Sequence, residues 1–365
     1  MRKTIMATDL LSADTATTGR TAVRSGESLS RQGSGSVDRL PADAAVNPET
    51  VSDNGEGQGG SSATAAESAS VVGRSAVSSL VSDFLQLTKP RIVVMILVTT
   101  YATAMIGASG PVALGSLFWL LVGTAAIAGS AGAGNQIWER VIDSRMTRTA
   151  NRPLSSGRMS PLPAAVFAVV LGFTGTAILA ARFGLTPAFV GVATWLLYVL
   201  VYTPMKIRTA WNTTVGAIAG AVPVLIGYTA TGGQLTDWTG WLLVGVLVAW
   251  QYPHFMAIAW MYRRQYEEAG FKMTTTEEPT GRSAGWQSIV GSAVLIGMGV
   301  TLCWLPAGLG GAVVGSIAVI AAAWPMLLAS VNFSSCPDDQ TARKLLRSSL
   351  LVLPAVLAVV TLLFW

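Results

Sequence analysis

The stretch ALGSLFWLLVGTAAIAGSAGAGNQIWERVIDSRMTRTANRP, Ala113 to Pro153, contains two different kinds of sequence, one apolar and one polar. Its first part, residues 113–134, is apolar and long enough for a membrane-spanning helix, which needs about 20 mostly apolar residues. Its second part carries amide, carboxylate and guanidinium groups directly after a glycine-rich end. The junction therefore predicts a membrane helix that leads into a polar, reactive segment.

Eight further apolar runs of similar length accompany this one along the chain. They show no alternation of polar and apolar residues, as a membrane barrel would. Because every backbone amide must be paired within the protein in lipid, we expect helices. The sequence predicts an all-α integral membrane protein with nine transmembrane helices, at about 91–109, 113–134, 160–181, 184–203, 213–230, 240–260, 285–305, 309–331 and 346–365.

The composition agrees with a membrane protein and excludes several other classes. Hydrophobic residues make up 51% of the 365 positions, and only 12% are charged, whereas soluble domains have about 25% charged residues. Two cysteines and one histidine leave little room for a zinc site or a disulfide framework. The net charge of +5 gives no indication of nucleic-acid binding.

The N-terminal part differs sharply from the rest. The first 80 residues are rich in Ser, Ala, Gly and Thr, with seven basic and nine acidic side chains and no aromatic one. Such a segment buries too little apolar surface to fold, so we predict a disordered polar tail over 1–84 and a nine-helix domain over 85–365. A secretory signal is not expected, and the acids in the tail favour a bacterial plasma membrane over the mitochondrial inner membrane.

Basic residues predict the orientation of the nine helices. Sixteen of the seventeen basic residues that follow position 80 lie on the side of the tail: two precede or open the first helix, and the others lie in the connections between helices 2–3, 4–5, 6–7 and 8–9, whereas the opposite side has only Arg182. The positive-inside rule therefore predicts a cytoplasmic N-terminus and an outer C-terminus. The same inner side carries the long connections, which favours a reaction site there.

Asn135, Glu139 and Asp143 are spaced four residues apart and share one face of a helix. Three oxygen ligands on one face suit Mg²⁺, which is usually held by one or two carboxylates and substrate phosphates. Arg148 and Arg152 follow and suit phosphate oxygens. A solvated loop with ordinary ion pairs is the alternative, but ionisable groups at the membrane are usually functional.

Two other stretches carry polar residues at the same side. WQYPHF, Trp250 to Phe255, contains the single histidine, His254, directly after Pro253, where we expect the helix to kink. From the residues alone, His254 could be a heme ligand, a proton-transfer group or a packing residue. The stretch Tyr202 to Gly232 brings Lys206 and Arg208 and a helix rich in small residues, most of which favour close helix packing.

Four stretches together resemble the heme O synthases (protoheme IX farnesyltransferases), a branch of the UbiA-type intramembrane prenyltransferases. They are LTKPRI at 87–92, the Asn135–Leu154 segment with N-x-x-x-E-x-x-x-D and RTANRPL, YTPMKIRTAWNTTVGAIAGAVP at 202–223, and WQYPHF with the later YEEAG within 250–270. The R-T-x-N-R-P and W-Q-x-P-H-F strings are specific to the heme branch. The resemblance covers about residue 85 to the C-terminus.

The resemblance implies nine helices around a central cavity and transfer of a farnesyl group from farnesyl diphosphate to a vinyl group of protoheme IX (heme B), which is substrate rather than cofactor. It implies that Asn135, Glu139 and Asp143 are catalytic and hold Mg²⁺. The product, heme O, would pass to a heme A synthase as downstream partner for the terminal oxidases. The implied substrate-binding residues are Lys89, Arg91, Arg148, Arg152, Lys206, Arg208, Asn212, His254, Gln265 and Tyr266.

Two positions depart from the family pattern. Glutamate stands at 139, where many relatives have aspartate, and Gln265 stands where the family commonly has an acid before Tyr266, so a second metal contact would lose its charge. Two alternatives are another UbiA-type prenyltransferase with an aromatic acceptor, and a nonenzymatic heme-binding assembly factor or transporter of the membrane. The WQYPHF string argues against the first, and the intact Asn–Glu–Asp row against the second.

Overall fold

A computed structural model describes residues 78–306 and 308–365 of the chain. Most of the predicted disordered tail, up to residue 77, lies outside these residues. Residues 78–88 are helical, so the end of the predicted tail, 78–84, belongs to a helix. The apolar residues of this short helix are too few to span a membrane, which is why hydropathy alone did not distinguish it from the polar tail.

Within the described ranges, nine helices are long and apolar enough to cross a membrane, and no residue is in a strand, as the sequence predicts. Short helices at Arg263–Glu268 and Thr274–Glu277 lie between the sixth and the seventh. The nine spanning helices are α1 Pro90–Gly107, α2 Leu114–Asp143, α3 Pro161–Phe183, α4 Leu185–Met205, α5 Asn212–Ala230, α6 Trp238–Met261, α7 Arg282–Cys303, α8 Leu309–Ser335 and α9 Asp339–Phe364.

Two helices extend well beyond the apolar runs that predict them. α2 continues through the polar row to Asp143, and α9 begins at Asp339 rather than near residue 346. Hydropathy detects only the part of a helix that suits lipid, whereas backbone hydrogen bonding continues into the polar region. The Asp338 carboxylate accepts a hydrogen bond from the Thr341 amide at 2.6 Å and caps the start of α9.

α6 is the most enclosed spanning helix. The protein buries 78% of its most apolar window, against 22% for α3. It packs against α5, α7 and α9, and it runs on through Pro253 without ending. The polar residues in its C-terminal half are therefore held among other helices and buried within the protein.

α1 and α5 pack so closely that a glycine is required where their backbones meet. A Cβ atom added at Gly227 would collide with the backbone carbonyl of Thr100, and one added at Gly107 with that of Tyr228. The absence of a side chain lets the two backbones approach, as expected for small residues in membrane helices. The packing interpretation of the α5 glycines is confirmed at Gly227.

α4 contains a π-helical turn over Leu197–Tyr202 before it ends. The Thr203 hydroxyl, just after the turn, donates to the Tyr198 carbonyl at 2.9 Å, five residues back. Such turns are frequent at functional sites because they rotate the following residues relative to a regular helix. Here the turn sets the direction of the end of α4, which carries Thr203 and Lys206.

Candidate active site

The predicted row of oxygen ligands lies at the C-terminal end of α2. Asn135, Glu139 and Asp143 are all helical and are 0%, 3% and 0% exposed. Their spacing places them on one face, which confirms the helical spacing argument. Three buried polar side chains in line require partners from other elements.

Each member of the row is paired with a basic side chain from a different part of the chain. Lys206 Nζ lies 2.6 Å from Glu139 Oε1, and an Arg152 guanidinium nitrogen lies 2.7 Å from Asp143 Oδ2. The Lys89 ammonium donates a hydrogen bond to Asn135 Oδ1. The structure thus brings together six of the predicted site residues as three cation–ligand pairs, which we call the paired row.

Local structure holds these pairs in place. The Asn135 amide donates to the Thr203 hydroxyl at 3.1 Å, so the end of α4 braces α2. The Gln136 amide donates to the carbonyls of Gln86 and Leu87, at 3.0 and 3.1 Å. These bonds cap the helix over 78–88, after which the chain turns through a left-handed residue, Lys89, with φ of 56°.

Lys89 lies just before α1, and its environment disfavours its charge. Burial lowers the pKa of the Lys89 amine well below its usual value, and the nearby positive charge of Arg152 lowers it further. The negative charges of Glu139 and, to a smaller extent, Asp143 raise the pKa of Lys89 and so act in the opposite direction. Because burial is the largest cause, an anion placed beside Lys89 would favour its charged form.

The other predicted basic residues lie in three different parts of the chain. The Arg148 guanidinium lies 5.6 Å from the centre of the Tyr262 ring, so the α2–α3 connection contacts the segment after α6. Arg91 is exposed at the start of α1 and lines the same cavity as Lys89. Arg208 is exposed after α4. A phosphate-binding role for these three arginines stays a prediction.

Asn212, Gln265 and Tyr266 make contacts that hold connections of the protein together. The Asn212 amide donates to the carbonyls of Thr209 and Lys272, each at 2.6 Å, and ties the α4–α5 connection to the α6–α7 connection. Tyr266 is fully buried against Phe271, with ring centres 5.9 Å apart. Gln265 is half-buried beside it. A substrate-binding role for these three residues stays a prediction.

The donor set bears on the predicted metal. Among the described residues, no group of three or more His, Cys, Asp and Glu side chains could hold a metal ion. The row offers two carboxylates and one amide oxygen, all buried. Mg²⁺ is commonly held by one or two carboxylates together with substrate phosphates. The residues therefore fit Mg²⁺ that arrives with a diphosphate better than Mg²⁺ held by protein alone.

A cavity of about 320 Å³ opens beside the row, between α1, α2, α4, α5, α6 and α9. Lys89 and Arg91 lie at its polar end, and His254 and Trp250 line it from α6. Its volume is at the lower end of the ~300–1,000 Å³ of ligand sites. Most of its wall is apolar, with contributions from Ile92, Ile96, Ile127, Ile226, Leu247 and Phe255.

His254 is fully buried in the cavity wall. Its Nδ1 lies 2.9 Å from the Ser349 hydroxyl of α9, and its ring stacks on Trp250 with centres 4.7 Å apart. Sequence reasoning missed Ser349 and Thr203 as site residues. A hydroxyl inside an apolar run, as at Ser349, was the available signal, but many serines in membrane helices bond only to their own helix.

A second cavity, of about 900 Å³, lies between α5, α6 and α7. Its wall includes Trp211, Trp241 and Trp286, and Glu277 and Glu278 lie at one end. The predicted site residues, all within the described ranges, are absent from its lining. The smaller cavity beside the paired row is therefore the candidate reaction chamber.

The amino-acid sequence is similar to those of known proteins. Residues 96–351 match the model of the UbiA prenyltransferase family. A protoheme IX farnesyltransferase from Rhodopirellula baltica is 62% identical over 282 residues, which are 76% of this chain and 98% of the relative. One from Salinibacter ruber is 36% identical, over 76% of this chain and 96% of the relative.

Solved structures share the fold at low sequence identity. A UbiA homolog from Archaeoglobus fulgidus bound to GPP and Mg²⁺ superposes with a TM-score of 0.58 at 16% identity, covering 76% of this chain and 99% of the homolog. A digeranylgeranylglyceryl phosphate synthase gives a TM-score of 0.64 at 13% identity, covering 77% and 97%. The arrangement of nine helices is therefore a known one.

Proposed function

This chain belongs to the UbiA prenyltransferase family, and on that premise we propose that it transfers the farnesyl group of farnesyl diphosphate to a vinyl group of protoheme IX and makes heme O. The observation that carries this proposal is the paired row at the polar end of an apolar cavity lined by His254. An anion-binding end and an apolar chamber are what a prenyl diphosphate and a porphyrin require.

The donor end binds the diphosphate and its metal. Asn135, Glu139 and Asp143 would hold Mg²⁺, which when bound would neutralise the diphosphate and polarise its bond to the farnesyl carbon. Lys89, Lys206 and Arg152 already lie against the row, so they need only small movements to reach phosphate oxygens. Arg91, Arg148 and Arg208 would add positive charge for the leaving pyrophosphate.

The chemical step separates charge inside the cavity. The bond between the farnesyl carbon and the diphosphate oxygen breaks, and pyrophosphate leaves with the electron pair. The electrons of the porphyrin vinyl group form the new carbon–carbon bond. Water then adds to the resulting cation and loses a proton, which gives the hydroxyethylfarnesyl side chain. The apolar wall around Ile96, Leu247 and Phe255 excludes water from the first stage.

The acceptor end is the cavity wall at α6. His254 and Trp250 line it, and Tyr198 of α4 lines the same cavity, with aromatic faces that suit a flat macrocycle. His254 contacts the heme there. The product passes to an enzyme that oxidises heme O further, a heme A synthase in the simplest scheme. These assignments extend the relatives' printed activity to particular residues of this chain.

The chain is a multi-pass membrane protein, and its membrane is the plasma membrane of a bacterium. The two relatives compared above come from bacteria. The connections that meet at the paired row lie on the cytoplasmic side, because they carry almost all the basic residues of the nine-helix domain. The diphosphate would then be drawn from the cytoplasm, where soluble prenyl diphosphates are made.

One assay tests the proposal directly. The protein purified in detergent is incubated with protoheme IX, farnesyl diphosphate and Mg²⁺, and heme O is measured by mass. Asp143→Asn should lower the rate by about a hundredfold or more, since it removes charge where the leaving group is stabilised. Glu277→Gln removes an exposed acid away from the paired row and is the matched control. Absence of heme O with the wild-type chain would contradict the proposal.

A further inference from the structure

His254 is the single histidine of the chain, and its two ring nitrogens have different surroundings. Nδ1 faces the Ser349 hydroxyl of α9 at 2.9 Å. Nε2 is buried and makes no hydrogen bond within the described residues. Buried polar nitrogens are nearly always satisfied in folded proteins, so Nε2 calls for a partner from outside the protein.

The hydrogen bonds of Ser349 determine which nitrogen carries the proton. Its hydroxyl donates to the Leu346 carbonyl at 2.7 Å, and a hydroxyl has only one proton to donate. The Ser349 oxygen therefore accepts from Nδ1–H of His254. In the neutral ring, the proton on Nδ1 leaves a lone pair on Nε2.

Ser349 also holds the plane of the imidazole ring through its backbone. The Trp250 indole nitrogen donates to the Ser349 carbonyl at 2.6 Å, and the Trp250 ring stacks on His254 at an angle of 24°. Ser349 thus orients the Trp250 ring that stacks on His254, and its hydroxyl also determines that Nδ1 of His254 carries the proton. Leu350 and Leu353 of the same helix line the cavity that His254 faces.

We infer that Ser349 is a positioning residue for the acceptor end of the site: it holds His254 as the Nδ1–H tautomer, so that the Nε2 lone pair is available to the iron of the porphyrin substrate. This role rests on the proposed function. A neutral imidazole nitrogen is the form that binds heme iron, and a second hydrogen bond to the other nitrogen ordinarily sets the orientation of such a ligand.

The tautomer can be read in the wild-type protein without any substitution. Because there is one histidine, ¹⁵N-histidine labelling gives two ring-nitrogen signals that belong to His254 alone, provided that the purification tag has no histidine. We expect a protonated Nδ1 and an unprotonated Nε2 in the absence of heme. A protonated Nε2 would overturn the inference.

Heme titration tests the consequence. Heme is added without farnesyl diphosphate, and the Soret band reports iron ligation. Ser349→Ala should weaken binding about 10- to 100-fold, as loss of a ligand's supporting hydrogen bond generally does, while Ser349→Thr keeps the hydroxyl and should restore most of it. Ser288→Ala is the matched control, since the Ser288 hydroxyl is buried and bonds only to Ala284 of its own helix.

A double substitution separates positioning from a merely structural role. If Ser349 acts through His254, Ser349→Ala should have no further effect on heme binding once His254→Ala is present. An additional loss in that background, or wild-type binding by Ser349→Ala alone, would overturn the inference. A wild-type protein that binds no heme at all would contradict the proposed function itself, and this role with it.

Discussion

The ammonium of Lys206 and the carboxylate of Glu139 lie 2.6 Å apart, and their side chains are only 2% and 4% exposed. One follows α4 and the other lies on α2, so this buried ion pair joins two helices at the reaction end of the molecule. Burial of either charge alone is costly, whereas the pair is tolerated. The same pairing places the proposed metal ligand Glu139 directly beside Lys206, which we propose binds phosphate.

Lys206→Met should destabilise the protein, because it removes the cation that lies against the buried Glu139 carboxylate. Loss of one partner of a buried pair costs about 3–5 kcal/mol, which thermal unfolding in detergent can detect. Glu139→Gln combined with Lys206→Met should recover much of the lost stability, yet heme O formation should stay abolished. A double variant as unstable as Lys206→Met alone would contradict the pairing argument.

Arg152→Gln should weaken binding of farnesyl diphosphate, since its guanidinium lies 2.7 Å from Asp143 at the predicted phosphate position. Loss of a charge-assisted hydrogen bond is worth about 1.5–3 kcal/mol, so KM should rise roughly 10- to 150-fold by the usual conversion.

Arg158→Gln is the matched control for Arg152→Gln. Arg158 belongs to the same connection but pairs with Asp83 at 3.0 Å, away from the row. Its substitution should leave the KM for farnesyl diphosphate near the wild-type value. Equal effects of the two substitutions would show that general positive charge matters here, and not the contact with Asp143.

Metal binding should depend on the diphosphate. Mn²⁺ used as a probe in place of Mg²⁺ must compete with Lys89, Lys206 and Arg152 for the row unless phosphate oxygens attract these cations. We expect Mn²⁺ to bind at least about tenfold more tightly when a nonhydrolysable farnesyl diphosphate analogue is present. Such a factor is typical of the coupling between two ligands that bind to one protein. Electron paramagnetic resonance measures the bound fraction. Equally tight binding of Mn²⁺ alone would contradict this prediction.

Gly227→Ala should destabilise the fold, because the added methyl group would meet the Thr100 carbonyl on α1. Overpacking of this kind costs about 1–3 kcal/mol. Gly297→Ala is the control: it lies within α7, and nothing is within 4 Å of its added Cβ. That substitution should be neutral or stabilising, since alanine favours a helix by about 0.5–1 kcal/mol. Thermal unfolding of both variants in detergent checks the contrast.

Features that depend on local pattern follow from the amino-acid sequence alone. Apolar runs of sufficient length identified the nine helices, because the cost of burying charge in lipid applies to each segment separately. The spacing of Asn135, Glu139 and Asp143 placed them on one face, because a helix repeats every 3.6 residues. The motif strings within 87–270 indicated the family to which the chain belongs.

Which side chains contact one another depends instead on how the helices pack. Lys206 is 67 residues from Glu139, and Ser349 is 95 residues from His254, and neither distance along the chain predicts a contact. The π-helical turn before Thr203 and the left-handed Lys89 likewise depend on neighbouring elements. Hydropathy and periodicity describe how one segment meets lipid or water, whereas a pair of side chains depends on how several helices pack around a shared centre.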